Sequence, residues 1–303
     1  MERKMMLGLA IAWCCACSPD DDSVTPTDAR GDDGADEIPA SDADAPDEGD
    51  MAGTIGHDAL SDTAAEDDAP SDAAAGDDAG ALDAPPGPDP CSAIPGASYR
   101  SLSTVGPVTD RPPAEHADLN LHLRGWTPTG GTLGLIDIPG PTDDLAPKLY
   151  TMFVDDRVPV FARNYAVYDW DWGSNSRGAP IESPEVTLAG FGTSTGEVLE
   201  LPDSGYDIGE GLQARVLFLD DTSITFKYTR EDNVVWGYTV HVAGICVEPG
   251  LRALYAANDA AGRAELPALD GHQPFGRARG AEIQVAIRDT GSFMDPRSRK
   301  DWW

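Results

Sequence analysis

The chain has 303 residues, of which 53 are acidic and 21 basic, for a formal net charge of −32. That length suits one or two domains, and the acidity excludes free nucleic acid as a partner, because a phosphate backbone is held by clustered Lys and Arg. The average conceals a division: of the 22 aromatic residues only Trp13 precedes Tyr99, so only the C-terminal two-thirds holds enough large apolar side chains for a sizeable core.

Arg3 and Lys4 precede an apolar run over residues 5–13, followed by Cys14, Cys15, Ala16 and Cys17. This basic, apolar, small-residue order is that of a secretory signal. The run falls short of the about 20 apolar residues that a bilayer-spanning helix needs. The segment resembles a bacterial lipoprotein signal, in which a small residue precedes a lipidated cysteine, and Ala16-Cys17-Ser18 carries the resemblance. It implies a signal peptide over residues 1–16, lipidation of Cys17 and an acyl anchor in a membrane surface. A plainly cleaved signal and a true start further along the chain are the alternatives.

Residues 17–90 read as a tether. From residue 18 to residue 90 there are 23 Asp and Glu, a single base in Arg30, and no Phe, Trp or Tyr. So little apolar surface does not offset the entropy of ordering the chain, and the segment is expected to be a disordered spacer extended by like-charge repulsion. The Asp-x-Asp-x-Asp-Gly calcium loop with its closing Glu is missing, and His57 stands alone in it.

Residues 91–303 form the expected globular part, with 29 acids against 18 bases. Two cysteines remain there, Cys91 at its first residue and Cys246 in an apolar segment. In an exported protein an isolated pair reads most simply as one disulfide; two buried thiols are the other reading. Apolar and polar residues alternate over 119–123, 214–219, 224–228, 238–242 and 283–287, with Gly, Pro, Asp or Asn between the runs. That pattern predicts strands. One stretch reads as a helix, with Pro249 at its start, Leu251, Leu254 and Tyr255 on one face and Gly262 at its end. One short helix among about ten strands predicts a mainly β, antiparallel sandwich or barrel-like domain.

In Tyr168-Asp169-Trp170-Asp171-Trp172 the three aromatics fall on one face of an extended strand and the two carboxylates on the other. Two readings stand: core packing of Tyr168, Trp170 and Trp172, or an exposed row that stacks on sugar rings with Asp169 and Asp171 bonding hydroxyls. The C-terminal Arg297-Ser298-Arg299-Lys300-Asp301-Trp302-Trp303 is likewise either a docking element for an anionic polymer or lipid interface, or a tail folded back with its indoles in the core and its bases on local acids. His116, His122, His241 and His272 form no His-x-x-x-His or His-Glu-x-x-His pair, and no Gly-x-Ser-x-Gly elbow exposes a serine. No catalytic residue, bound metal or cofactor is assigned.

Residues 202–296 resemble the LytM-type, lysostaphin-like zinc endopeptidases, which cut peptidoglycan cross-bridges from a β-rich fold. The resemblance rests on Asp203-Ser204-Gly205-Tyr206-Asp207 for a His-x-x-x-Asp element and Tyr238-Thr239-Val240-His241-Val242 for a Tyr-x-His-Leu element. Gly271-His272-Gln273-Pro274-Phe275-Gly276 stands for a turn, Glu282-Ile283-Gln284-Val285-Ala286 for His-x-His-Phe-Glu, and residues 287–296 for the ending. It implies a ligand or metal-like cluster of Asp203, Asp207, His241 and Gln284 with the zinc histidines lost. Asp203, Asp207 and Gln284 offer oxygen alone, which suits calcium or magnesium better than catalytic zinc. The resemblance thus implies a binding or scaffolding descendant.

These readings together predict an exported protein of the bacterial cell envelope, lipid-anchored at the outer membrane or cell surface, with a noncatalytic β-rich domain. Its partners would be the membrane, through the anchor, and a cell-wall glycan or peptide or an envelope protein. The alternatives are a peptidoglycan or polysaccharide hydrolase with Asp203, Asp207 and His241 converging in a cleft, and a purely structural surface protein.

Overall fold

The structure, a computed structural model, describes residues 89–106 and 110–303. The signal, Cys17 and the tether up to residue 88 lie outside the described residues. Fourteen strands are present among those described: β1 (Arg100–Ser103), β2 (Trp126–Pro128), β3 (Phe161–Asp171), β4 (Ser176–Pro180), β5 (Leu188–Gly192), β6 (Val198–Glu200), β7 (Ala214–Leu219), β8 (Ser223–Lys227), β9 (Tyr238–Ala243), β10 (Ile245–Val247), β11 (Glu265–Leu269), β12 (Pro274–Ala278), β13 (Glu282–Asp289) and β14 (Ser292–Met294). Helices α1 (Leu121–Arg124), α2 (Pro249–Ala260) and α3 (Arg299–Trp302) and two single 3-10 turns complete it.

The domain is mainly β. The large sheet runs β1-β11-β7-β8-β9-β13-β5-β3-β2, with β14 added on β13 and β4 on β3; a small sheet runs β10-β12-β6. Every pairing between named strands is antiparallel. Directly opposed residues share a face, so register separates the two sides of the large sheet. Val216, Phe226, Val240 and Ile287 form one row across β7, β8, β9 and β13, and all four belong to the main apolar core. The neighbouring row, Arg215, Lys227, Thr239 and Arg288, lies on the opposite face and is equally buried.

The main core fills the space between the first face and the small sheet, where Phe226 meets Phe275 edge-on with ring centroids 5.0 Å apart. Each Val, Leu, Ile or Phe so buried stabilises by about 1.5–3 kcal/mol. At Gly276 on β12 an added Cβ would lie 2.5 Å from the Cys246 carbonyl oxygen, so this close approach of β12 to β10 requires glycine. The opposite face carries a smaller apolar group of Leu121, Tyr165, Val167, Leu188, Ala286 and Phe293 beside the polar row.

The runs at 214–219, 224–228, 238–242 and 283–287 are strands β7, β8, β9 and part of β13. Helix α2 starts at Pro249, where the Glu248 carboxylate accepts the Leu251 amide at 3.0 Å. Gly262 at φ +91° follows its last turn. Residues 119–123 are not a strand: Asn120 Oδ1 accepts the His122 amide at 3.1 Å and Gly125, at φ +66°, closes a single helical turn, α1. Its leucines alternate because Leu119 packs into the main core and Leu121 into the opposite one. Helix α2 is therefore accompanied by two one-turn helices rather than standing alone.

Cys91 and Cys246 form a disulfide across 155 positions, with Cα atoms 5.1 Å apart, tying the start of the domain to β10. The C-terminal residues fold back. Trp302 is buried in the main core, Trp303 packs on Phe161 and Phe191, and Arg297, Arg299 and Lys300 pair with Asp295, Asp137 and Asp301.

Candidate functional site

The members of the expected ligand cluster keep separate company. Asp203 Oδ1 accepts from Gln213 Nε2 at 2.7 Å, and its amide donates to Thr151 Oγ1. Asp207 accepts the Gly209 amide at 2.7 Å in an exposed turn. Gln284 donates to Glu282 Oε1 on its own strand. His241 is buried on β9, on the polar face, beside Thr225. Among the described residues no group of three or more His, Cys, Asp or Glu is placed to hold a metal ion, so Asp203, Asp207 and His241 do not converge. Asp203 and Asp207 stand in the segment between β6 and β7, outside the strands, whereas His241 and Gln284 lie on the polar face of β9 and β13.

His241 has a defined tautomer. Thr225 Oγ1 donates its one proton to the Leu119 carbonyl at 2.7 Å and so accepts from His241 Nδ1 at 2.9 Å. Nε2 then carries the free lone pair, and it is buried without a hydrogen-bond partner among the described residues. Burial, followed by the positive charge of Arg288, drives the imidazole well below its ordinary pKa, and the ring stacks on Phe293 at 6.4 Å.

Tyr168, Trp170 and Trp172 belong to none of the apolar clusters, so the core-packing reading of this row fails. Strand β3 is long enough that its last residues pass beyond the core and form a hairpin with the fully exposed β4. Asp171 builds the tip by accepting the Gly173 amide at 2.8 Å and the Ser174 hydroxyl at 2.7 Å. Trp172 is 44 % exposed there, with the Arg111 guanidinium 5.2 Å from its ring, His116 edge-on at 5.3 Å and Trp170 at 6.4 Å. Arg111 also donates to Asn175 at 2.7 Å, which fixes the cation against the hairpin. Trp170 is partly buried, and its Nε1 has no acceptor among the described residues.

Beside the hairpin lies a cleft of about 330 Å³ lined by Arg124, Asp169, Ile181, Arg288, Ser292 and Phe293, among others. That volume is at the lower end of small-ligand sites. Both guanidiniums pack on the Phe293 ring, at 5.6 and 4.7 Å, and both donate to Asp118 Oδ1 at 2.8 Å. Burial pushes the Asp118 carboxyl up, but Arg288 and Arg124 together outweigh it and hold it below its ordinary range. Burial pulls the Arg288 guanidinium down. Asp169 reaches Arg124 at 3.5 Å with its carboxylate largely in water. His116 links the two regions: its Nδ1 accepts the Asp118 amide at 3.2 Å while its ring meets Trp172.

Arg111, His116, Asp118, Arg124, Arg288 and Phe293 are site residues that sequence reasoning missed. The aromatic alternation around Trp170 was the only local signal, since the cleft joins α1, β3 and β13, which are distant in the chain. Comparison with protein-family models, with curated proteins and with solved structures finds no match to this chain.

Proposed function

We propose that this protein is an exported lipoprotein of the bacterial envelope, anchored through Cys17, whose β-rich domain binds a cell-wall glycan or peptide without cleaving it. The observation that carries this reading is Trp172, held 44 % exposed at the hairpin tip with Arg111 over its ring. A core indole has no need of exposure, whereas an aromatic braced by neighbouring rings and a cation offers a rigid surface for a sugar ring. In the adjacent cleft Arg124 and Arg288 are held by Asp118 and backbone carbonyls, and the Asp169 carboxylate, largely in water, can accept from sugar hydroxyls. Residues 18–90 would let the domain reach the wall from the anchor.

The test is sedimentation of the purified chain with insoluble peptidoglycan. The wild-type chain should co-sediment, and Trp172→Ala should lose most of the bound fraction while unfolding at the same temperature. Equal retention of the two chains, or retention of neither, would overturn the reading and leave a structural surface protein. Loss of acyl labelling in Cys17→Ala checks the anchor separately.

A further inference from the structure

Residues 18–90 join the domain just before Cys91, and the first strand beyond that point is weakly held. β1 is the outermost strand of the large sheet and pairs with β11 alone. Leu102 is its one buried side chain, and side-chain bonds at Arg100, Ser101 and Ser103 add to its ladder. Between Cys91 and β1 the chain is fastened by single bonds: Arg277 Nε donates to the Ser92 carbonyl at 3.0 Å, Gln273 Nε2 to the Ser98 carbonyl at 2.7 Å, and the Tyr99 hydroxyl to the Pro274 carbonyl at 2.8 Å. Chain ends with few buried contacts are where local unfolding starts.

The disulfide leads elsewhere. Cys246 lies in β10, whose three residues are all buried, with Ile245 and Val247 in the main core. β10 is held on both sides: it pairs with β12, and the Ile245 and Val247 amides donate to the Thr222 and Asp221 carbonyls at 3.2 and 3.4 Å. Gly244 alone separates β10 from β9, which has four strands on either side along the path of the large sheet. The S–S bond therefore joins the entry of the domain to the middle of the sheet and bypasses residues 92–103.

We propose that Cys91–Cys246 is a tension clamp: a pull arriving along residues 18–90 passes through the two sulfurs into β10 and β9, so that β1 is not peeled from the sheet. The inference rests on the reading of an anchored chain that holds the wall, because tension arises only when both ends are held. Forced unfolding is governed by the rate at which the first loaded element gives way. Moving the point of attack from an edge strand to the core slows that step in one direction of pulling, which is distinct from a general gain in stability.

The test is single-molecule force spectroscopy on the full chain, with one handle at its N-terminus and a bio-orthogonal one in place of Ser176 on the exposed β4, with and without dithiothreitol. The reduced chain should show an early lengthening at low force of up to about 45 Å, the extended length of residues 91–103, before the domain opens. The oxidised chain should hold past that force. With handles at position 176 and the C-terminus, outside the clamp, reduction should leave the first opening force unchanged. Equal first opening forces in the two redox states with the N-terminal handle, or an equal drop on reduction in both pulling directions, would overturn the proposal. Cys91→Ser combined with Cys246→Ser should reproduce the reduced trace without reductant. Acyl labelling of Cys17 decides the anchor by itself, so failure of the clamp and failure of the anchored reading show in different measurements.

Discussion

Asp295 grips Arg297 with both carboxylate oxygens, Oδ1 to Nε at 2.9 Å and Oδ2 to Nη2 at 2.7 Å, and both side chains are buried. The Asp295 carbonyl also accepts Trp302 Nε1 at 2.8 Å. The pair is thus a clasp that turns the C-terminal residues back so that Trp302 enters the core.

Trp302→Ala should destabilise the domain by about 3–5 kcal/mol, the usual cost of removing a large core aromatic. Asp295→Ala should cost a similar ~3–5 kcal/mol, because it leaves a buried guanidinium without its counter-charge. Urea unfolding monitored by tryptophan fluorescence measures both. A loss below about 1 kcal/mol in each variant would mean that the tail is not part of the core.

Asp118 is the common acceptor of Arg124 and Arg288. Asp118→Ala should therefore cost about 3–5 kcal/mol, while Asp169→Ala, at a carboxylate in water, should stay within about 0.5 kcal/mol. Denaturant midpoints of the two variants compared side by side check this, and equal midpoints would contradict the shared-acceptor geometry.

His241 should make stability fall on acidification. Its folded pKa lies well below the ordinary value of 6.5, so below about pH 6.5 the unfolded chain binds a proton that the folded chain refuses. That contribution to stability is intact above about pH 6.5 and declines by up to about 1.4 kcal/mol per pH unit as pH falls toward the folded pKa. Unfolding free energies between pH 7 and 5 should be shallower for His241→Gln than for the wild-type chain. Parallel slopes would show that His241 does not titrate on unfolding.

Reduction of Cys91–Cys246, or the double change to serine, should cost about 2–4 kcal/mol by freeing a long loop in the unfolded chain. The comparison is an unfolding curve with and without dithiothreitol. An unchanged midpoint would place the stabilisation elsewhere.

Much of the fold is legible in the residues themselves. Alternation over β8, β9 and β13 reports that successive side chains point to opposite faces, whereas β7 is apolar from Val216 to Leu219 across a register shift, and Pro249 announces α2. The same rule misleads at Leu119 and Leu121, where the alternation arises because two cores flank a helical turn. The candidate site was less visible. Alternation put Tyr168, Trp170 and Trp172 on one face, but whether that face is covered depends on how far β3 runs past its neighbours.

The chain by itself determines composition, the division between an acidic leader poor in aromatics and a domain rich in them, and the period of its strands, because these depend on residues close in sequence. Only the tertiary structure decided that Asp118 would meet Arg288, 170 positions away, that Asp203 and His241 would part, and that Arg215 would face Lys227. Strand order and register govern those meetings. They are set by which pairing buries the most apolar surface across the whole domain, a property that no local window of residues contains.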